Sequence, residues 1–190
     1  MQKKGFTLIE LLVVVAILAI LSVVVILTLN PAQLLAQARD SQRLSDMSTI
    51  NSSIALYLQD VESPSVGAAN VCYGSAPTTP NSAGCGGRMS ASDPTVTTST
   101  SPASTTGAGW IPINFATING GSPLGSEPMD PVNSATYFYS YATNASSNYQ
   151  YEVNANMEST KYSASGTSDV ESADGGTNVN IFEMGTNLGL

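Results

Sequence analysis

The sequence has no histidine, two cysteines, one tryptophan and only six lysines and arginines, against fourteen aspartates and glutamates. Without histidine the chain lacks the commonest general base and the commonest nitrogen ligand for a transition metal. Serine and threonine abound, but no Gly-x-Ser-x-Gly elbow accompanies them, so a serine hydrolase would lack both its base and its usual turn. The shortage of basic residues disfavours direct nucleic-acid binding, because neutralising phosphates requires clustered Lys and Arg. Composition therefore points away from an enzyme and towards a structural or binding role.

What the sequence has instead is a long apolar run near its start. Leu11 to Leu29 reads LLVVVAILAILSVVVILTL, and Phe6 to Ile9 extends it backwards with Glu10 as its sole charge. About 20 such residues at 1.5 Å each are enough to cross a bilayer. Lys3 and Lys4 precede the run and nothing basic follows until Arg39, which places the N-terminus in the cytoplasm and the rest outside. A cleaved secretory signal would have a shorter core ending in a small-x-small site, whereas this one ends in Thr28, Leu29, Asn30 and Pro31. A plain anchor explains length and orientation but not the acid, since an unpaired carboxylate in lipid costs several kcal/mol.

The residues Lys3, Lys4, Gly5, Phe6, Thr7, Leu8, Ile9 and Glu10 form the string KKGFTLIE. It resembles the processing motif of type IV prepilins and type II secretion pseudopilins. The resemblance implies that a membrane peptidase cuts between Gly5 and Phe6, that Phe6 becomes the N-methylated terminus, and that the hydrophobic helix stays on the mature chain. Gly5 offers no side chain to obstruct a peptidase. The cut would create an amine on Phe6 whose charge is costly to bury without a carboxylate nearby. Glu10 stands one helical turn along, so it can meet that amine in its own chain or in a neighbour. The resemblance favours the neighbour and an assembly role; the alternative is an acid at a helix N-terminus that snorkels to the interface.

Asn30 and Pro31 predict a kink or a short unwound stretch, either a simple bend at the membrane boundary or a point that loosens on packing. Beyond it Met47, Ile50, Ile54, Tyr57 or Leu58, and Val61 recur at helical spacing, an amphipathic helix with one apolar stripe. Arg39, Asp40, Arg43 and Asp46 are read as a solvated face, with Asp40–Arg43 and Arg43–Asp46 pairs along it. One long helix from Thr7 to about Val61 would span roughly 80 Å, so its apolar half must project. A projecting apolar rod needs lipid or copies of itself.

Cys72 and Cys85 enclose a loop with Gly74, Pro77, Pro80 and Gly84. An exported chain favours a disulfide over two free thiols, contributing about 3 kcal/mol. Residues 72–109 read as surface loop, either flexible linker or an O-glycosylated tract. Tyr137, Tyr139 and Tyr141 alternate with Phe138, Ser140 and Ala142, and after NASSN Tyr149, Tyr151 and Val153 alternate with Gln150, Glu152 and Asn154, predicting a hairpin with an aromatic face. Trp110–Ile118 and Asn178–Met184 are read as further strands. Asp169, Glu171, Asp174 and Asn178 surround Gly175 and Gly176 in a loop comparable to one that binds calcium in some pseudopilins. The spacing does not match an EF-hand, and turn chemistry explains the same residues.

The expected fold is α+β: a long N-terminal helix, half transmembrane and half amphipathic, packed on a small antiparallel sheet as a pilin-like lollipop. Residues 1–5 would be a leader peptide, 6–30 the transmembrane and filament-core helix, 31–62 the amphipathic helix, and 63–190 an extracytoplasmic head with a Ser/Thr-rich loop over 90–108. The expected role is a subunit of a type IV pilus-like filament. The alternatives are a secretion pseudopilin and a non-polymerising, membrane-anchored binding protein. The implied partners are a prepilin peptidase and methyltransferase, a pilus or secretion assembly platform, the cytoplasmic membrane before assembly, and copies of the chain itself.

Overall fold

The computed structural model describes residues 5–76, 83–89, 95–99, 101–144 and 148–190. Lys3, Lys4, Pro77, Pro80, residues 90–94 and 100 of the Ser/Thr tract, and 145–147 of the predicted turn lie outside the described residues.

Helix α1 covers Leu8–Leu29 and helix α2 covers Pro31–Asp60, separated by one residue. Asn30 has φ 41° and ψ 76°, ending α1 and capping α2, where its side chain accepts from Gln33 N. Pro31 takes the first position of α2, where the missing N–H has no partner to lose. The interruption expected at Pro31 is thus centred on Asn30, a residue that tolerates the left-handed region. Every side of the described part of α1 is exposed. Its hydroxyls turn back on the helix, Ser22 to Leu18 O at 2.7 Å and Thr28 to Val24 O at 3.0 Å, so neither presents an unpaired donor to lipid.

The stripe on α2 is buried at Met47, Ile50, Ile54 and Tyr57, with Leu58 and Val61 half-buried beside it. Each fully buried side chain contributes about 1.5–3 kcal/mol by leaving water. Facing it are Tyr139 and Tyr141 of β3, Tyr139–Asn144, and Tyr151, Val153 and Ala155 of β4, Gln150–Ala155. The two strands form the predicted hairpin, in register Tyr141↔Val153 and Tyr139↔Ala155. The tyrosine rings at 141 and 151 stack with centroids 6.4 Å apart. Tyr149 falls outside the core and is exposed.

Among the described residues five strands form one sheet in the order β2-β1-β3-β4-β5. Strand β5, Phe182–Gly185, lies within and one residue beyond the predicted last strand and pairs antiparallel with β4. Strands β1, Val71–Gly74, and β2, Thr95–Thr98, fall where the sequence read as loop. β1 pairs antiparallel with β3 and parallel with β2, so the antiparallel sheet gains one parallel edge. The β-branched run of β2 suits a strand, although its Ser/Thr surroundings disguise it.

Trp110–Ile118 does not form the predicted strand. Pro112 supplies no N–H for a ladder, and Asn114 caps a short 3-10 helix, Phe115–Thr117, accepting from Ala116 N at 3.2 Å. Among the described residues only Thr106 and Asn114 form an isolated bridge there. Trp110, Ile111, Ile113, Phe115 and Ile118 are nevertheless buried in the main core, which shows that apolar content set the burial while the ladder went elsewhere.

Behind the sheet, Cys72 and Cys85 are joined, closing a loop with a sequence separation of 13. Helix α3, Ala83–Gly87, carries Cys85, and the bridge sits in a small second core with Ala76, Met89, Phe138 and Ala142. Reduction should lower the melting temperature of the head, consistent with a loss of about 3 kcal/mol, and leave membrane insertion unchanged. An identical melting curve with and without reductant would contradict this.

Candidate processing and assembly site

The segment ahead of α1 leaves the Gly5–Phe6 bond outside regular structure. Residues 5–7 precede the helix in non-helical backbone, and Thr7, the N-cap, has φ −84° and ψ 150°. Phe6 is 75% exposed, and a Cβ built on Gly5 would meet nothing within 4 Å. The chain itself therefore does not require glycine there; a requirement would come from a partner that grips the bond.

Thr7 and Glu10 form a capping box. Glu10 Oε2 accepts from Thr7 N at 2.8 Å and Thr7 Oγ1 at 2.6 Å, while Glu10 N donates to Thr7 Oγ1 at 3.3 Å. This satisfies helix-end donors that have no intrahelical partner and sets an anion at the positive end of the dipole. Glu10 shares one shallow surface groove with Phe6, Ile9, Val13 and Val14. The acid therefore stands beside the residue that a cut would make terminal, on a helix whose Leu8–Ile26 stretch is long and apolar enough to cross a membrane.

The polar residues of α2 depart from the predicted solvated face. Asp40 and Arg43 are fully buried. Their predicted pair exists, Nη1 to Oδ1 at 2.7 Å, but Arg43 also grips Asp130 through Nε at 2.6 Å and Nη2 at 3.0 Å. Asp40 accepts from Glu158 N at 2.9 Å and Ser159 N at 2.8 Å. Arg39 meets Glu158, its Nε at 2.7 Å from Oε2, and this hydrogen bond holds the Glu158 carboxyl below its ordinary value. The predicted Arg43–Asp46 pair is replaced by Tyr139 Oη donating to Asp46 at 2.8 Å. Burial raises Asp46 above its ordinary value, although that bond opposes the shift. The cluster locks the first half of α2 to the head, and its distant members, Asp130 and Glu158, carry no local signal in the sequence.

Each of the four calcium candidates is engaged in hydrogen bonds within the head. Asp169 accepts from Ser165 N at 2.8 Å and Ser172 N at 3.0 Å. Glu171 accepts from Met157 N at 2.7 Å and Ala164 N at 2.9 Å. Asp174 accepts from Gly176 N and Glu183 N, and Asn178 Nδ2 donates to Gly87 O at 3.2 Å. These are turn and edge bonds. Among the described residues no group of three or more His, Cys, Asp or Glu is placed to hold a metal ion.

An exposed apolar helix, capped by the Thr7–Glu10 box and preceded by an accessible Gly5–Phe6 bond, fits a membrane-anchored precursor bearing a folded head. Residues 1–26 match the family model described as the prokaryotic N-terminal methylation motif, which makes the N-terminus type IV pilin-like or pseudopilin-like. No curated protein and no solved structure matches the chain.

Proposed function

We propose that this chain is a structural subunit of a type IV pilus-like filament, cut between Gly5 and Phe6, methylated on Phe6, and polymerised through α1 outside the cell or within its envelope. The observation that carries the reading is the union of the methylation motif with a helix whose described apolar faces are all uncovered. Once out of the bilayer, such a helix needs equivalent helices around it, because apolar surface of that extent is not stable in water. A type II secretion pseudopilin would use the same device.

Incubation of membranes containing the chain with a prepilin peptidase and methyltransferase, together with a methyl donor, tests the first step. Mass spectrometry should find a product that begins at N-methylated Phe6. An intact Gly5–Phe6 bond would favour an anchored binding protein that never polymerises, and an exported form beginning after Pro31 would remove the rod on which assembly depends.

A further inference from the structure

Asn119 and Gly120 form the one Asn-Gly step in the sequence. Both residues are exposed, in a turn closed by Gly121 N donating to Ile118 O at 2.8 Å. Gly120 has φ 96° and Gly121 has φ 92°, the left-handed region that glycine enters without penalty. A Cβ built on either glycine would meet nothing within 4 Å. Among the described residues Gly120 N has no hydrogen-bond partner.

The side chain of Asn119, by contrast, is held. Its Nδ2 donates to Asp60 Oδ1 at 3.2 Å, and its backbone N donates to Asp60 Oδ2 at 2.5 Å. Asp60 is the last residue of α2, and Ile118, just before the turn, is buried in the main core. The two bonds therefore fasten the C-terminal end of α2 to the loop that follows the 3-10 turn. One partner of this fastening is a side-chain amide whose neighbour in the chain has an unbonded N–H and no side chain to shield it.

We propose that Asn119–Gly120 is a self-modification site, restrained by Asp60, at which loss of ammonia unfastens the end of α2. Gly120 N attacks Asn119 Cγ and closes a five-membered succinimide. The Cγ–Nδ2 bond breaks, and Nδ2 leaves as ammonia with the proton that Gly120 N gives up. Water then opens the ring at one carbonyl or the other, yielding aspartate or isoaspartate without oxidation or reduction. Either product sets a carboxylate where an amide donor had met Asp60, and like charges at that distance repel. Before the reaction the bond from Nδ2 to Asp60 ties down the amide that has to rotate, so Asp60 slows the step. The chemistry needs no partner and no filament, and it stands apart from the assembly reading.

Peptide mass spectrometry on the full chain in detergent, incubated in warm and mildly alkaline buffer, tests the proposal. The peptide that contains Asn119 should gain the mass of O in place of NH, and Asp60→Ala should do so several-fold faster with its circular dichroism unchanged. Asn119→Asp, which makes one product directly, should lower the melting temperature of the head. Adding Asp60→Asn to that variant should recover most of the loss, because an amide then faces a carboxylate again with the two partners exchanged. Asn119 left intact over a period that converts a synthetic peptide of the same sequence would overturn the site. An equal rate in Asp60→Ala would overturn the restraint, and a melting temperature unchanged by Asn119→Asp would overturn the unfastening.

Discussion

Replacing Arg43 with alanine should destabilise the head by about 3–5 kcal/mol, the range expected when one member of a buried ion pair is removed. The guanidinium is fully buried, grips Asp130 with two nitrogens and Asp40 with a third, and lies 5.0 Å from the centre of the Tyr137 ring. Neither acid can escape to water once it is gone. Asp40 is held by the amides of Glu158 and Ser159, and Asp130 by those of Val132 and Asn133 at 2.8 Å and 3.2 Å. Alanine would therefore leave two anions buried and fixed close together. Lysine should recover only part of the loss, because an ammonium cannot reproduce the planar fork. Urea denaturation gives the magnitude, and a cycle with Asp130→Asn separates pairing from packing. If Arg43→Ala shifted stability by less than about 1 kcal/mol, the cluster would rank with exposed ion pairs.

The failure to read this cluster from the sequence has a physical cause. Helical periodicity correctly placed Met47, Ile50, Ile54 and Tyr57 in the core, because an apolar stripe reports its own burial. A charged residue carries no such report: Arg43 is buried because Asp130 lies 87 residues away in the chain and Glu158 lies 115 away, and only the fold brings them together. The same limit hid β2, whose Thr95–Thr98 strand stands in a tract that composition marks as loop. It also hid Glu127, which looks like any loop acid until the fold buries it against Ile111 N. Trp110–Ile118 shows the converse, with apolar content revealing burial but not the 3-10 turn at Phe115. The hairpin of β3 and β4 was legible because tyrosines recur at every second position on either side of a turn signal. The N-terminal motif was the most legible, since it lies in one short string that the family model also matches; the roles proposed for Gly5, Phe6 and Glu10 rest on that string.

Glu10→Val should leave the Gly5–Phe6 bond cleavable and abolish, or greatly slow, filament assembly. The bond stands in non-helical chain ahead of the helix, so a peptidase reaching it need not depend on the acid. In the proposed filament, assembly differs because each processed subunit would bring an amine on Phe6 into a packed apolar bundle, where an unpaired charge costs several kcal/mol. The capping box complicates valine as a test, because removing Glu10 also removes bonds to Thr7 N and Thr7 Oγ1. Glutamine separates the two roles: it can still accept from Thr7 as the third residue of a capping box, but it has no charge to offer an amine. Glu10→Gln should therefore keep α1 capped and cleavage normal while losing filaments nearly as fully as valine does. Sheared surface filaments, weighed and identified by mass spectrometry, give the readout. A normal yield from Glu10→Gln would assign Glu10 to capping alone, and the register between neighbouring subunits would then have to come from the shape of the apolar faces that begin at Ile9 and Val13.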